Sequence, residues 1–377
     1  MSERQSKLLD ILRHAPAAKI TTLPDADTGR SEIEPFPFLA IVGQYEMKLA
    51  LILSLINPEV GGVLLIGPRG TAKTTAVRSL TDLLPTVKHS LCQHGCTEEL
   101  IEQLGMDGVC QDCAIKFGHG DMLTIVDKVR IFELPLNARL EDVVGGINER
   151  IALEQNRVRL ERGLLGHADR HILYIDEVNL LDDAITDAIL DAAAQGHYTV
   201  RRGPLKMTYN ARLMLIGSMN PEEGRLRPQL MDRFGLRAVV RGLDAPEMRY
   251  QAYERAMAYK RHPEQFALGF ADAVLVLADE IQQARDGLPK VTVGDAARQL
   301  GLTLVQQLTI DSNRAEITLF EAARAYAAAD ERDEVLPEDV QAVALLALRQ
   351  RQSPQLAQFF ADQAEEDKIL MVVFDIK

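Results

Sequence analysis

A buried apolar strand that ends in a glycine-rich turn and passes straight into a helix leaves a chain few folds to choose from, and residues 61–84 read that way. "GGVLLIG" (61–67) is short and apolar, as a strand of a parallel sheet covered on both faces should be. "GPRGTAKTT" (67–75) follows, then "KTTAVRSLTDLL" (73–84), whose Ala76, Val77, Leu80, Leu83 and Leu84 fall on one helical stripe. The turn is close to the phosphate-binding pattern G-x-x-x-x-G-K-[ST]. In that pattern backbone N–H groups and a helix N-terminus cradle phosphates, the lysine reaches the outer phosphates, and the hydroxyl holds Mg²⁺. The loop residues expected to bind nucleotide are Gly67, Gly70, Thr71, Ala72, Lys73, Thr74 and Thr75. Ala72 stands where the last glycine belongs. Its methyl is harmless if residue 72 takes a helical or extended φ, and costly only where φ must be positive.

"HILYIDEVNLL" (171–181) is a second buried strand and closes on Asp176-Glu177. Open α/β sheets carry their functional groups at the carboxyl ends of the strands. With a phosphate loop upstream, Asp176 is expected to hold Mg²⁺ through water and Glu177 to polarise the attacking water. Taken alone, the pair could equally be acids favoured by a helix N-terminus. "ARLMLIGSMNP" (211–221) is a third strand, which places Asn220 to orient the water or touch the γ-phosphate, unless it merely opens the turn at Pro221. "KVRIFELPL" (128–136) and "LRAVVRGL" (236–243) are further strands, and "YTVRRGPLKMTY" (198–209) reads as a hairpin. "LRPQLMDRFG" (226–235) carries Arg227 and Arg233 on a short helix facing away from the loop. An arginine there can stabilise transition-state charge on a neighbouring subunit's nucleotide; otherwise it is a solvated helix cation.

The chain has 377 residues, 47% of them hydrophobic, enough for two ordinary domains with a sizeable core. A net charge of −13 argues against broad nucleic-acid binding, although Arg201, Arg202 and Lys206 make the hairpin basic. No apolar run reaches the roughly 18 residues of a membrane helix, and "MSERQSKLLD" lacks a signal-peptide core, so a cytoplasmic location is expected. Residues 1–35 read as a lead-in segment with one amphipathic stretch at Leu8–Leu12. An α/β nucleotide-binding domain is expected over 36–245, with a Cys-rich insert at 88–120; an all-helical domain over 246–360 and a strand-like tail over 361–377 follow.

All four cysteines fall in that insert, as Cys92-x₃-Cys96 and Cys110-x₂-Cys113. Two closely spaced thiolate pairs suit a tetrahedral Zn²⁺ site, each pair spanning one edge of the tetrahedron, with His94 or His119 as substitute ligands. Such a site would be structural. Four reduced thiols without metal, or a redox-sensing pair, are the alternatives.

Four stretches together, "PFPFLAIVGQYEMKLALILSLINPEVGGVLLIGPRGTAKTTAVRSL", "ILYIDEVNLLDD", "GSMNPEEGRLRPQLMDRFG" and "SNRAEITLFEAARAYAAADERDEVLPEDV", resemble the AAA+ ATPase subunit (the I subunit) of magnesium chelatase and its MoxR-type relatives. The resemblance covers about 35–350 and implies an AAA+ P-loop NTPase core with a parallel sheet, followed by a helical C-terminal domain. It implies ATP and Mg²⁺ as cofactors and a homo-oligomeric ring, a hexamer, with ATP between subunits. Lys73 and Thr74 match Walker A, Asp176 and Glu177 Walker B, and Asn220 sensor 1. Arg233 matches the arginine finger, with Arg227 as second choice, and Arg314 the sensor 2 arginine. Residues 137–166 resemble the family's helix 2 insert, and 198–209 its pre-sensor 1 hairpin. The implied function is coupling of ATP hydrolysis to Mg²⁺ insertion into protoporphyrin IX by partners, a chelatase D subunit and a large subunit. The alternative is a MoxR-type chaperone maturing a von Willebrand A domain partner; Ala72 and the tail slightly favour it, while the "PEEGRLRPQLMDRFG" and "PFPFLAIVGQ" matches favour the first reading. A nucleic-acid motor is a third reading, opposed by the net charge.

Overall fold

The computed structural model describes residues 7–13, 35–92, 94–147, 160–203, 205–224 and 226–351. Its strands run, in chain order, β1 (Val63–Ile66), β2 (Thr86–Ser90), β3 (Thr124–Lys128), β4 (Ile131–Leu134), β5 (Gly145–Ile147), β6 (Leu160–Arg162), β7 (Ile172–Ile175), β8 (His197–Arg202), β9 (Leu205–Asn210), β10 (Met214–Met219) and β11 (Leu236–Val239). Five of them form one parallel sheet in the order β11-β1-β10-β7-β4. The strands expected from the apolar runs supply all five.

The runs are apolar throughout because the sheet is buried on both sides, and successive residues serve opposite faces. Val63, Leu65, Ile172, Tyr174, Met214, Ile216, Leu236 and Ala238 join one core, while Leu64, Ile66, Leu173, Ile175, Leu215 and Met219 join the other. The first face is covered by helix α2 (Tyr45–Ile56) and by helices Ala271–Gly287, Arg314–Ala329 and Pro337–Leu348. The second is covered by helices Asp183–Gln195 and Pro228–Arg233 and by the antiparallel β8–β9 hairpin. Leu8, Leu9 and Leu12 of the lead-in lie on helix α1 (Lys7–Arg13) and are buried against α2 and Ala271–Gly287. Residues 246–351 are helical, apart from loops and a two-residue parallel pairing of Thr292–Val293 with Glu334–Val335. The tail expected at 361–377 lies outside the described residues, as does 148–159 of the helix 2 insert. Among the described residues no helix is long and apolar enough to cross a membrane.

Buried cations tie the segments together by gripping main-chain carbonyls. Arg237 of β11 donates to the carbonyls of Arg349 (2.9 Å), Gln350 (2.5 Å) and Met231 (2.8 Å), and Arg349 in turn pairs with Glu46 of α2. Lys48 of α2, 1% exposed, donates to the carbonyl of Ile41 at 2.5 Å. Arg255 holds the carbonyl of Ala40 at 3.0 Å. These two cations fix the segment that leads into residues 43–46.

Burial, with a smaller contribution from Arg255, pushes the Lys48 ammonium down to about 8 from 10.5. An unfolded chain therefore binds a proton at Lys48 that the folded chain has lost between pH 8 and 10.5, and folding stability rises with pH across that window. The full effect is at most about 3 kcal/mol. We expect thermal unfolding of the wild type to show this rise between pH 8 and 10, and Lys48→Met to flatten it.

Candidate nucleotide-binding site

The loop 67–72 leaves the carboxyl end of β1 and enters helix α3 (Lys73–Arg78). Two glycines are required by geometry. A Cβ on Gly67 would lie 2.0 Å from the carbonyl oxygen of Val240, and Gly70 has φ +78° with nothing within 4 Å of a Cβ position. The loop is thus pressed against β11 on one side and open at its crest, the shape of a phosphate cradle. Ala72 overturns the harmless-methyl expectation: its φ is 66° and ψ 22°, left-handed, at the N-cap of α3. The conformation that glycine normally supplies is kept, at a strain of about 1 kcal/mol.

Lys73 is 9% exposed and donates to the carbonyls of Gly67 (2.7 Å) and Pro68 (2.8 Å) of its own loop. Burial lowers its pKa, against the pull of Asp176, Glu177 and Glu223. A buried ammonium held chiefly by carbonyl dipoles is a site prepared for an anion. The Thr74 hydroxyl donates to Asp176 Oδ2 at 2.9 Å, so the two expected Mg²⁺ residues are in contact although 102 positions apart. Ser218 donates to the other oxygen of Asp176, and Tyr174 lies 3.3 Å from the Thr74 hydroxyl. Burial disfavours the charged form of Asp176. Hydrogen bonds from Ser218, Tyr174 and Thr74, with the charge of Lys73, outweigh that and hold its pKa below the ordinary value. A hydroxyl beside an ionised carboxylate is a donor set suited to Mg²⁺.

Glu177 follows in a left-handed conformation, φ 55°, its N–H donating to Ser218 Oγ at 3.2 Å. Its carboxylate meets Arg69 at 3.1 Å, and Arg69 also reaches Glu223 at 2.5 Å. Asn220, 4% exposed, sits at the end of β10. Its side-chain oxygen accepts from the N–H of Glu222 at 3.2 Å, so it does form the turn at Pro221 while lying beside the acid pair's strand. Beyond the loop, Gly43–Glu46, Val239, Arg241–Asp244, Met248 and Arg349 enclose a cleft of about 390 Å³.

The remaining arginines lie elsewhere. Arg233 and Arg314 both line a larger cleft, about 930 Å³, with Gly61 and Met214–Leu215, at the amino ends of β1 and β10 and so at the opposite end of the sheet from Lys73. Lys88, Arg170, Arg212 and Arg285 share this cleft, against Glu59, Glu99 and Asp232. Arg314 pairs with Asp232 at 3.4 Å, and burial followed by repulsion from Arg314 lowers the pKa of Arg233. Arg227 is paired with Asp183. In the hairpin, Arg202 meets Glu141 at 3.2 Å.

The sulfur atoms of Cys92, Cys96, Cys110 and Cys113 all lie within 4.8 Å of one another. His94 instead stacks on Tyr209, and His119 follows the last turn of α5 (Gln111–Gly118), neither joining the thiol group. Helix α4 (Glu98–Leu104) precedes α5 in the same insert.

Sequence reasoning missed Ser218, Tyr174, Arg69 and Glu223. A hydroxyl in an otherwise apolar strand, "MLIGSM" or "ILYI", was the available signal for the first two. The cleft of residues 43–46 and 239–244 had no signal, because it is built from a helix entry and a strand exit far apart in the chain.

Comparison with known proteins bears on this arrangement. The AAA lid domain model matches residues 303–370, and the MCM P-loop domain model matches 149–238. A magnesium-chelatase subunit ChlI homolog of Methanocaldococcus jannaschii is 39% identical over 345 residues, 91% of this chain and 92% of that protein. Magnesium-chelatase subunit ChlI of Mesostigma viride is 40% identical over 324 residues, covering 86% and 89%. The chain belongs to the magnesium-chelatase ChlI family. It is accordingly an AAA+ ATPase motor subunit, and the family favours this reading over the MoxR-type alternative. Among solved structures, a putative ATPase from Cytophaga hutchinsonii is 19% identical with a TM-score of 0.52, covering 83% of each chain, a likeness of fold.

Within this family member, the alanine in a left-handed N-cap generates a prediction. Ala72→Gly removes the strained methyl and should stabilise the metal- and nucleotide-free chain by up to about 1 kcal/mol, read as a raised midpoint in denaturant unfolding with an unchanged slope.

Proposed function

We propose that the chain drives insertion of Mg²⁺ into protoporphyrin IX by hydrolysing ATP in a ring, most simply a hexamer, with insertion itself occurring on a larger partner subunit. The observation that carries the ATP reading is the Thr74–Asp176 contact beside the buried Lys73, with Glu177 as the next residue. ATP with Mg²⁺ would bring a phosphoanhydride whose developing charge the metal neutralises. Lys73 would exchange its loop carbonyls for phosphate oxygens. Thr74 and Asp176 would hold the metal, Asp176 through water. Glu177 would accept the proton of the attacking water, after releasing Arg69. Asn220 has its oxygen engaged by Glu222, which leaves its NH₂ to meet a phosphate oxygen or the water. The adenine base would lie toward the cleft of residues 43–46 and 239–244, whose Val239 and Arg241 flank Val240, the residue that Gly67 presses against.

Arg233 and Arg314 are too far round the sheet to serve the same chain's loop, and the cleft they line is basic in a chain of net charge −13. Both would therefore act on the nucleotide of the next subunit, with Arg233 as finger. A chelatase D subunit would be the partner on the ring, with a von Willebrand A domain partner belonging to the alternative reading, and a cytoplasmic setting accompanies this proposal. The four-thiol cluster fits a closed, structural Zn²⁺ site outside the reaction.

Glu177→Gln should bind ATP with near-normal affinity and lose at least about 100-fold in turnover, the scale of a missing general base, while Lys73→Ala should fail to bind. Mixing Arg233→Ala with Lys73→Ala subunits should restore part of the activity, since some interfaces then pair an intact loop with an intact arginine; no recovery at any ratio would sink the cross-subunit role. With chelatase D and large subunits added, magnesium protoporphyrin fluorescence should appear only when Glu177 is intact. ATP turnover without that product would move the reading to partner maturation.

A further inference from the structure

The cysteine insert lies between β2 and β3, and nothing in the nucleotide site uses it. Its own hydrophobic core consists of Cys96, Cys113 and Leu123, with Cys92, Ile101, Val109 and Cys110 partly buried around them. Leu91, Leu104, Met106, Ile115, Phe117 and Met122 are exposed. With two short helices, α4 and α5, and so small a core, the insert needs a staple to keep one conformation.

The sulfurs supply the place for one. All four thiols are free, and Cys92 Sγ lies 3.6 Å from Cys110 Sγ, contact without a bond. Zn–S bonds of about 2.3 Å in a tetrahedron put sulfurs about 3.8 Å apart, so the cluster is already close to the required compactness. Backbone N–H groups point at sulfur, among them His94 N at 3.3 Å from Cys92 Sγ and Cys110 N at 3.3 Å from Cys96 Sγ. Such donors stabilise thiolates bound to a metal and hold the ligands in orientation.

The first ligand turn also touches the end of β9. Gly95, φ +71°, approaches Asn210 so closely that a Cβ would lie 2.3 Å from its Nδ2. That Nδ2 faces the carbonyls of His94 and Gly95, each at 3.5 Å. The His94 ring lies parallel to Tyr209, 3° between planes and 6.4 Å between centroids. Tyr209 and Asn210 end β9, and the chain turns there into β10, which carries Ser218 and leads to Asn220.

We propose that Cys92, Cys96, Cys110 and Cys113 bind one Zn²⁺, and that the His94–Gly95 turn between the first two ligands clamps the foot of the β8–β9 hairpin through Asn210 and Tyr209. The clamp rests on the zinc reading given above and adds its mechanical role: metal occupancy sets how firmly the hairpin is joined to the strand that enters the nucleotide site. No bond to carbon changes and no oxidant is needed; four thiols lose protons as the metal binds.

The test uses the full chain purified without chelator. Elemental analysis should give one zinc per chain, and hydrogen exchange of the amides in 205–210 should accelerate about tenfold or more in Cys92→Ser/Cys110→Ser. Asn210→Ala keeps every thiol. It should retain one zinc, leave exchange in the insert unchanged, and still speed exchange at the hairpin foot. If zinc is present but neither change alters the hairpin, the clamp is wrong and the zinc site stands. If the chain carries no zinc and takes none up, or carries iron or copper instead, the zinc reading falls and the clamp falls with it.

Discussion

Everything functional in this chain depends on parallel pairing of β1 between β10 and β11, with β7 one strand further out. Parallel strands end on the same side, so pairing alone brings the loop after β1, the acid pair after β7 and the asparagine after β10 to one edge. Residues more than a hundred positions apart then meet at hydrogen-bond distance, as Thr74 and Asp176 do. The apolar runs are what make this pairing unambiguous. Each residue of β1 and β7, and Met214, Leu215, Ile216 and Met219 of β10, belongs to one of two cores, and a slip by one position would exchange the faces of a whole strand.

The site shows a second consequence of burial. Asp176 is kept ionised by three hydroxyl donors rather than by a full ion pair, and Lys73 is held by carbonyls rather than by a carboxylate. Neither charge is committed to the other. Both remain open to ligands of higher charge, a division that a tight Lys–Asp pair would have prevented.

The sheet strands, the loop, the acid pair and the thiol quartet were legible in the sequence because each is local: a run, a turn or a short spacing. Ala72 was legible as a departure but not as a left-handed residue, since φ is imposed by the turn and not announced by a methyl. Arg314 could be matched to a motif, yet only the packing of helix Arg314–Ala329 against the sheet's first face reveals that it sits at the strands' amino ends beside Arg233. The lead-in leucines read as a minor amphipathic stretch, because the groove that buries them is made by α2 and a helix more than two hundred residues later.

The chain places a phosphate loop at one end of its sheet and a basic cleft at the other. A body with two unlike, complementary ends cannot satisfy both by pairing face to face with a copy of itself, since a two-fold axis would set like against like. In the proposed ring its contacts would be head to tail, and repetition of such a contact either closes into a circle or continues as a helix without end. The turn made from one copy to the next would decide between them, so the number of subunits in such a ring would be set by the angle between the two ends.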